Sequence, residues 1–258
     1  MRNIIRAQNY QAKNDIVIIA ALLISGILTV ISPLFNEIPF SEWTGSIYAV
    51  NSDKTILLYI ILIITTRVCG WDQSDKTINY ELLAGHSRLS VFLGRIITSF
   101  IWAAVPCIVL MFVPLAVFSL INGWGYSVDL SWVIIRYLLA VLPILRVICE
   151  LALLTFIIRN GGLSTILGFV FIEIIVILTM VIETVADKEL TWQFGVSNLM
   201  TLSGFSDYSF GYVNGEDVII YNSSLEPTVI AGTIAASVLM GGVALLIGGV
   251  LFKKTDIK

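Results

Sequence analysis

The sequence predicts an all-α membrane protein with six transmembrane helices, and three observations support this fold class. Hydrophobic residues make up 57% of the 258 residues, and charged residues only 13%. That charged share is about half of what soluble domains carry. Long apolar runs also recur without the strict alternation that a transmembrane barrel requires. Because unpaired backbone groups are costly in lipid, these runs are expected to be helical.

Six apolar stretches have, or nearly have, the roughly 20 residues that are needed to cross the hydrocarbon core of a bilayer. We expect them to form one transmembrane domain over residues 1–258, without a second domain or an internal repeat. The predicted spans are 16–34, 55–70, 96–121, 133–158, 163–185 and 229–252.

The N-terminal region leaves two alternatives open. Residues 1–15 combine Ile4 and Ile5 with basic residues, which fits either a short helix in the membrane interface or a frayed terminus. The first apolar run could also be a secretory signal peptide. Its length, and the lack of a small-residue cleavage site at Ser32-Pro33-Leu34, favour a retained span.

The distribution of basic residues predicts the orientation, since cytoplasmic loops carry an excess of Lys and Arg. The N-terminal segment, the loop 71–95, the turn at Arg159 and the C-terminus are basic, whereas the three other loops contain only Lys54 and Lys188. Both termini are therefore expected in the cytoplasm. The net charge of -3 argues against a nucleic-acid partner.

The loop 71–95, between the second and third spans, is expected to contain a short amphipathic helix. Asp72 or Ser74 can cap its start, and Gly85 is a suitable stop. Ser87-Arg88 then begins the helix that continues into the third span. Such a helix is suited to docking into a groove on a soluble partner, and a simple interfacial connector is the alternative. Its narrow apolar stripe comprises Ile78, Leu82 and Leu83.

Charged residues inside the fourth and fifth spans are candidates for a functional role, because each costs roughly 2.5–3.5 kcal/mol on insertion scales. Arg146 and Glu150 are i,i+4 neighbours, and Glu173 lies at a similar depth on the adjacent span. We expect these three side chains to form an intramembrane cluster. The cluster either fixes helix packing or takes part directly in substrate movement or gating.

The remaining elements are the loop 186–228 and the sixth span. The loop is rich in Gly, Ser, Asn and aromatic residues, and we expect an extracytoplasmic cap over the bundle. The sixth span places Gly232, Ala236, Ala244 and Gly248 at spacings that allow close helix contact. This face serves either packing within the chain or dimerisation.

Motifs for metal and nucleotide chemistry are missing from the sequence. Three scattered Cys residues and a single His predict buried thiols rather than a metal site. The string that starts at Gly248 lacks the second Gly of a phosphate-binding loop and ends a membrane span. The chain itself is therefore not expected to be an ATPase, and ATP and Mg²⁺ would have to be bound by another subunit.

The loop 71–95 also resembles a known family. The permease subunits of ABC-2 type ABC transporters typically have an acidic residue after the second span. A Gly-Thr pair, a Leu-rich helix, a small residue followed by Ser-Arg, and a Lys come next. Lys76 stands where Gly is common, and Arg95 where Lys is usual. The matching positions are Asp72, Thr77, Leu82, Leu83, Gly85, Ser87, Arg88 and Arg95.

This resemblance implies a membrane subunit of an ATP-driven exporter in the bacterial plasma membrane. Its implied partners are two copies of a soluble ABC ATPase subunit and a second permease, identical or homologous. The substrate would be a peptide or another amphipathic molecule, with antimicrobial-peptide export or immunity as one case. The residues implied in coupling to the ATPase are Asp72, Thr77, Ile78, Glu81, Leu82, Leu83, His86 and Arg88, with Glu81, His86 and Arg88 at the rim.

Two other functions compete with that of an exporter. An ion-gradient-driven secondary transporter could use Glu150 and Glu173 as proton carriers, although no inverted repeat is visible. An intramembrane protease is disfavoured, because the single His86 lies in the loop 71–95 and the spans hold no carboxylate dyad.

Overall fold

The computed structural model describes residues 2–31, 42–51, 55–74, 78–186, 208–213, 216–222 and 224–254, and most of them are helical. The helices are α1 Arg2–Asn14, α2 Ile16–Ile31, α3 Gly45–Asn51, α4 Ile56–Ser74, α5 Ile78–Leu83, α6 Arg88–Ser99, α7 Val105–Asn122, α8 Leu130–Ile158, α9 Gly161–Ala186 and α10 Pro227–Lys254. A π-helical segment, Phe100–Ala104, joins α6 to α7, and the strands are β1 Tyr208–Val213 and β2 Glu216–Tyr221.

The helices have the lengths and composition of a membrane protein. Four segments are long and apolar enough to cross a bilayer singly, namely 88–122, α8, 161–185 and α10. Two more spans result if the bent pairs α1–α2, at 63°, and α3–α4, at 68°, each count as one. The described residues thus contain four to six candidate membrane spans, in agreement with the predicted helical membrane class.

The helix of the third span is a single run of 35 residues, and it begins at Arg88, where the sequence predicted the start of the helix that leads into this span. Ser87 caps it, because its hydroxyl accepts a hydrogen bond from Ser90 N at 3.2 Å. The run continues through the π-helical segment, which ends two residues before Pro106. Proline lacks an N–H and crowds the carbonyl four residues earlier, and a π turn relieves that crowding without ending the helix.

α8 is the central helix and packs most extensively against α10. Asp129 caps its start by accepting a hydrogen bond from Ser131 N at 3.0 Å. The small side chains of α10 make the close approach possible: a Cβ on Gly241 would lie 3.4 Å from Arg146 Cα. The predicted small-residue face is used in part for packing within the chain, because Ala244 and Gly248 are buried. Gly232 and Ala236 are only half-buried. Thr233, Ser237 and Gly241 are also buried.

The end of the bundle that carries α1, α5 and the last turn of α10 is called the basic end here. α1 forms a helix, which agrees with the first of the two alternatives left open for residues 1–15 and not with a frayed terminus. It buries Ile4, Gln8 and Ala12 against the bundle, and a Cβ on Gly94 of α6 would lie only 2.8 Å from Ile4 Cγ2. Next to this contact, three aromatic rings pack with centroids 5.0–5.9 Å apart: Phe92, Phe156 and Phe252.

The opposite end, called the hairpin end, carries α3, the connection between α7 and α8, and an antiparallel hairpin. β1 and β2 pair from Tyr208↔Tyr221 to Val213↔Glu216. Tyr221 N donates to Ser127 O at 2.9 Å, which anchors the hairpin to the bundle. The all-α prediction missed this hairpin. Most of the predicted outer loop, residues 187–207 with 214, 215 and 223, lies outside the described residues.

Candidate docking site at the basic end

α5 is shorter than the predicted loop helix and begins later. α4 continues through Ser74, so Asp72 and Ser74 belong to α4 and do not cap α5, contrary to prediction. The predicted stop is confirmed, because Gly85 has a φ of +87° and its N–H donates to Leu82 O at 3.0 Å. A left-handed residue of this kind ends a helix at little cost only when it is Gly.

Glu81 faces the bundle and not the rim of α5. Its Oε1 accepts a hydrogen bond from Gln8 Nε2 at 3.1 Å, and its Oε2 lies 3.2 Å from Arg95 Nη2. Arg95 is fully buried. A buried guanidinium needs a carboxylate partner, and this need explains why Glu81 turns inward. One side chain thereby connects α5 to α1 and α6.

The predicted apolar stripe of α5 is divided between two environments. Leu82 is partly buried and packs against the cluster that includes Phe92 and Phe252. Leu83 is 83% exposed, because adjacent helical positions point about 100° apart. Leu89, in the first turn of α6, is also exposed. The docking patch is defined here by its exposed residues Leu83, Ala84, Gly85, Ser87 and Leu89.

The other predicted contact residues are placed as follows. Arg88 Nη1 donates to Lys253 O at 3.2 Å and so ties the start of α6 to the end of α10. His86 is half-buried beside the docking patch. The backbones of Asp72 and Ile78 belong to α4 and α5, their side chains lie outside the description, and Thr77 lies outside the described residues.

Several residues that hold α1 in place were not predicted. Asp15, between α1 and α2, pairs with Arg67 of α4 across 2.7 Å. Trp102 Nε1 donates to Asn9 Oδ1 at 2.9 Å. The available sequence signal was the position of Gln8, which follows Ile4 by four residues on the face that the helix buries.

The predicted intramembrane charge cluster is divided into two contacts. Arg146 Nε lies 3.5 Å from Glu150 Oε1, and both side chains are at most 10% exposed. Glu173 instead accepts a hydrogen bond from Tyr59 OH at 3.3 Å. The physical reason is that α9 packs more extensively on α4 than on α8, so Glu173 meets α4.

Metal ligands do not converge in the structure. Within the described ranges, no group of three or more His, Cys, Asp or Glu side chains could hold a metal ion. The three thiols, Cys69, Cys107 and Cys149, are buried, as predicted, and none of them is in a disulfide. Buried thiols of this kind act as small apolar side chains.

No family model, curated protein or solved structure matches this chain. The resemblance to ABC-2 permeases, which depends on residues 71–95, therefore stays a prediction.

Proposed function

We propose that this chain is the permease subunit of an ATP-driven ABC-2 type exporter that moves a peptide or another amphipathic substrate out of a bacterial cell. The observation that carries the proposal is the docking patch. An exposed Leu83 lies on a short helix whose Glu81 is bonded to two other elements. Exposed leucines on a firmly held turn suit a protein partner.

The distribution of basic residues supports a cytoplasmic partner at the basic end. Cytoplasmic ends of membrane proteins carry most of the Lys and Arg. Outside α8, every Lys and Arg whose position is described belongs to the basic end, and the proposed ATPase subunit binds there. These residues are Arg2, Arg6, Lys13, Arg67, Arg88, Arg95, Arg159, Lys253 and Lys254.

The contacts of Glu81 supply a route for coupling. A partner that moves α5 also displaces α1 through Gln8 and α6 through Arg95. α6 continues into α7 as one run of 35 residues, so its movement reaches the hairpin end. ATP and Mg²⁺ are bound by two copies of the soluble subunit, and a second permease completes the assembly.

Co-purification tests the proposal. The chain is co-expressed with a soluble ATPase subunit encoded beside its own gene, and the complex is recovered through a tag on this chain. Leu83→Asp should remove the ATPase from the complex, because an exposed apolar contact is replaced by a charge. Leu82→Asp should instead lower the yield of folded chain, since Leu82 packs against the bundle.

Tyr10→Asp is the matched control, because Tyr10 is 73% exposed at the basic end and lies outside the docking patch. It should leave the complex intact. Equal recovery of the ATPase with Leu83→Asp and with the unchanged chain would contradict the proposal, as would a genome without an ATPase gene for this permease.

A further inference from the structure

A cleft of about 280 Å³ opens at the hairpin end, between the start of α8 and the hairpin. Both of its walls are fixed by hydrogen bonds. Tyr221 N donates to Ser127 O at 2.9 Å, and Arg136 Nη2 donates to Ser224 O at 3.4 Å. The lining includes Asp129, Trp132, Ser209, Ile220, Tyr221 and Ser224.

The lining combines one carboxylate with aromatic and aliphatic surfaces. Asp129 Oδ1 accepts from Ser131 N, and Oδ2 has no hydrogen-bond partner among the described residues. Trp132 is half-buried at the same site, and Ile220 pairs with Ser209 across the hairpin. A free carboxylate oxygen beside aromatic rings is the environment that Lys and Arg side chains prefer.

The charges around the cleft also favour a cation. Glu42 and Glu226 are further exposed carboxylates at this end. Arg136 is the one basic side chain that the described ranges place there, and it is fully buried with Nη2 directed at a backbone carbonyl. Among the described residues, this end thus exposes three carboxylates and no basic side chain, an excess of negative charge that favours cationic ligands.

We propose that this cleft binds a Lys or Arg side chain of a cationic amphipathic peptide. The volume admits one long side chain and is small for a whole ligand, so the remainder of the peptide lies over the hairpin end. The inference deepens the proposed function, on which it rests for the identification of this end with the outer side. It assigns positive charge to the exported substrate.

Peptide binding to the purified chain alone, without an ATPase subunit, tests the cleft. The chain is placed in nanodiscs of neutral phosphatidylcholine. The probe is a fluorescent amphipathic helix made only of Leu and Lys, and its counterpart is made of Leu and Glu. Binding is followed by fluorescence anisotropy. The Leu/Lys peptide should bind more tightly than the Leu/Glu peptide.

Asp129→Asn removes the charge and keeps a residue that can cap α8. It should weaken binding of the Leu/Lys peptide about tenfold, the effect of losing a charged hydrogen bond. Glu226→Gln is the matched control, since it removes an exposed carboxylate from the same end without touching the lining. Its effect should stay below about threefold, as for an exposed charge.

Ser209→Trp provides a second variant that fills the cleft and leaves Asp129 intact. It should also weaken binding of the Leu/Lys peptide. Equal losses with Asp129→Asn and Glu226→Gln, or unchanged binding with Ser209→Trp, would overturn the proposal. If the chain binds the ATPase subunit but not the peptide, only this inference is contradicted. If the chain binds the peptide but never binds an ATPase subunit, the proposed exporter function is contradicted.

Discussion

Glu81 Oε2 on α5 lies 3.2 Å from Arg95 Nη2 on α6, and Arg95 is fully buried. The second oxygen of the same carboxylate accepts from Gln8 of α1. A six-residue helix is too short to be stable alone, and so α5 depends on these contacts for its position. The docking patch is thus held in position by the contacts of Glu81 with Gln8 and Arg95, on the side of α5 that faces the bundle.

Glu81→Gln should loosen α5 and lower the free energy of unfolding by about 1–3 kcal/mol, because the buried Arg95 loses its carboxylate. The measurements are thermal unfolding in detergent and hydrogen exchange of the α5 amides. Glu226→Gln removes an exposed carboxylate and should change neither. Faster exchange in both variants, or in neither, would contradict the role given to Glu81.

Arg146 and Glu150 should behave as a coupled pair. Arg146→Met leaves a buried carboxylate without its cation and should cost about 3 kcal/mol of stability. Adding Glu150→Gln should recover part of this loss, while adding Glu173→Gln should not, because Glu173 contacts Tyr59. A double-mutant cycle on the melting temperature measures the coupling. If adding Glu173→Gln also recovers stability, the result would favour the three-residue cluster expected from the sequence.

The crossing of α4 with the start of α9 should tolerate no added methyl group. A Cβ on Gly70 would lie 2.7 Å from Gly161 Cα, so Gly70→Ala must push two backbones apart. The expected cost is about 1–3 kcal/mol. Gly242 has open space around its Cα, and Gly242→Ala should leave the melting temperature unchanged. Equal melting temperatures for the two variants would show that the crossing yields easily.

Thiol labelling can report on the docking patch. Because all three cysteines are buried, a water-soluble maleimide should label the folded chain poorly and the denatured chain fully. Leu83→Cys adds an exposed site that should react quickly. A bound ATPase subunit should slow this reaction. Rapid labelling of the unchanged folded chain would show that a thiol is accessible, and unchanged Leu83→Cys labelling in the complex would place the partner elsewhere.

The helices could be predicted because a long apolar run in lipid satisfies its backbone hydrogen bonds mainly by forming a helix. The predicted limits 163–185 and 229–252 fall within two residues of α9 and α10. The helix that leads into the third span was also predicted to begin at Ser87-Arg88, and it does, but the burial of Arg95 beside Glu81 was not predicted. The hairpin was missed although Asn214-Gly215 stands between two runs of β-forming residues, a strong turn signal.

The candidate site was predicted in part. The position of Gly85 and the cap at Ser87 follow from local rules, and both are confirmed. Local rules do not predict the directions in which Glu81, Leu82 and Leu83 point, because these are set by contacts with residues that are distant in sequence. Glu173 was misplaced for the same reason: depth could be read from the sequence, but the neighbouring helix could not.

The attachments of α1 also order the biogenesis of the chain. Gln8 and Asn9 of α1 bond to Glu81 and Trp102, and Asp15, directly after the helix, pairs with Arg67. All three partners follow α1 in the sequence. The helix therefore cannot complete its docking until the chain has been translated through Trp102 and the helices that carry these partners have been inserted. α1 is made before its partners and settles after them, and until then its apolar face must be shielded by the membrane surface or by an insertion factor.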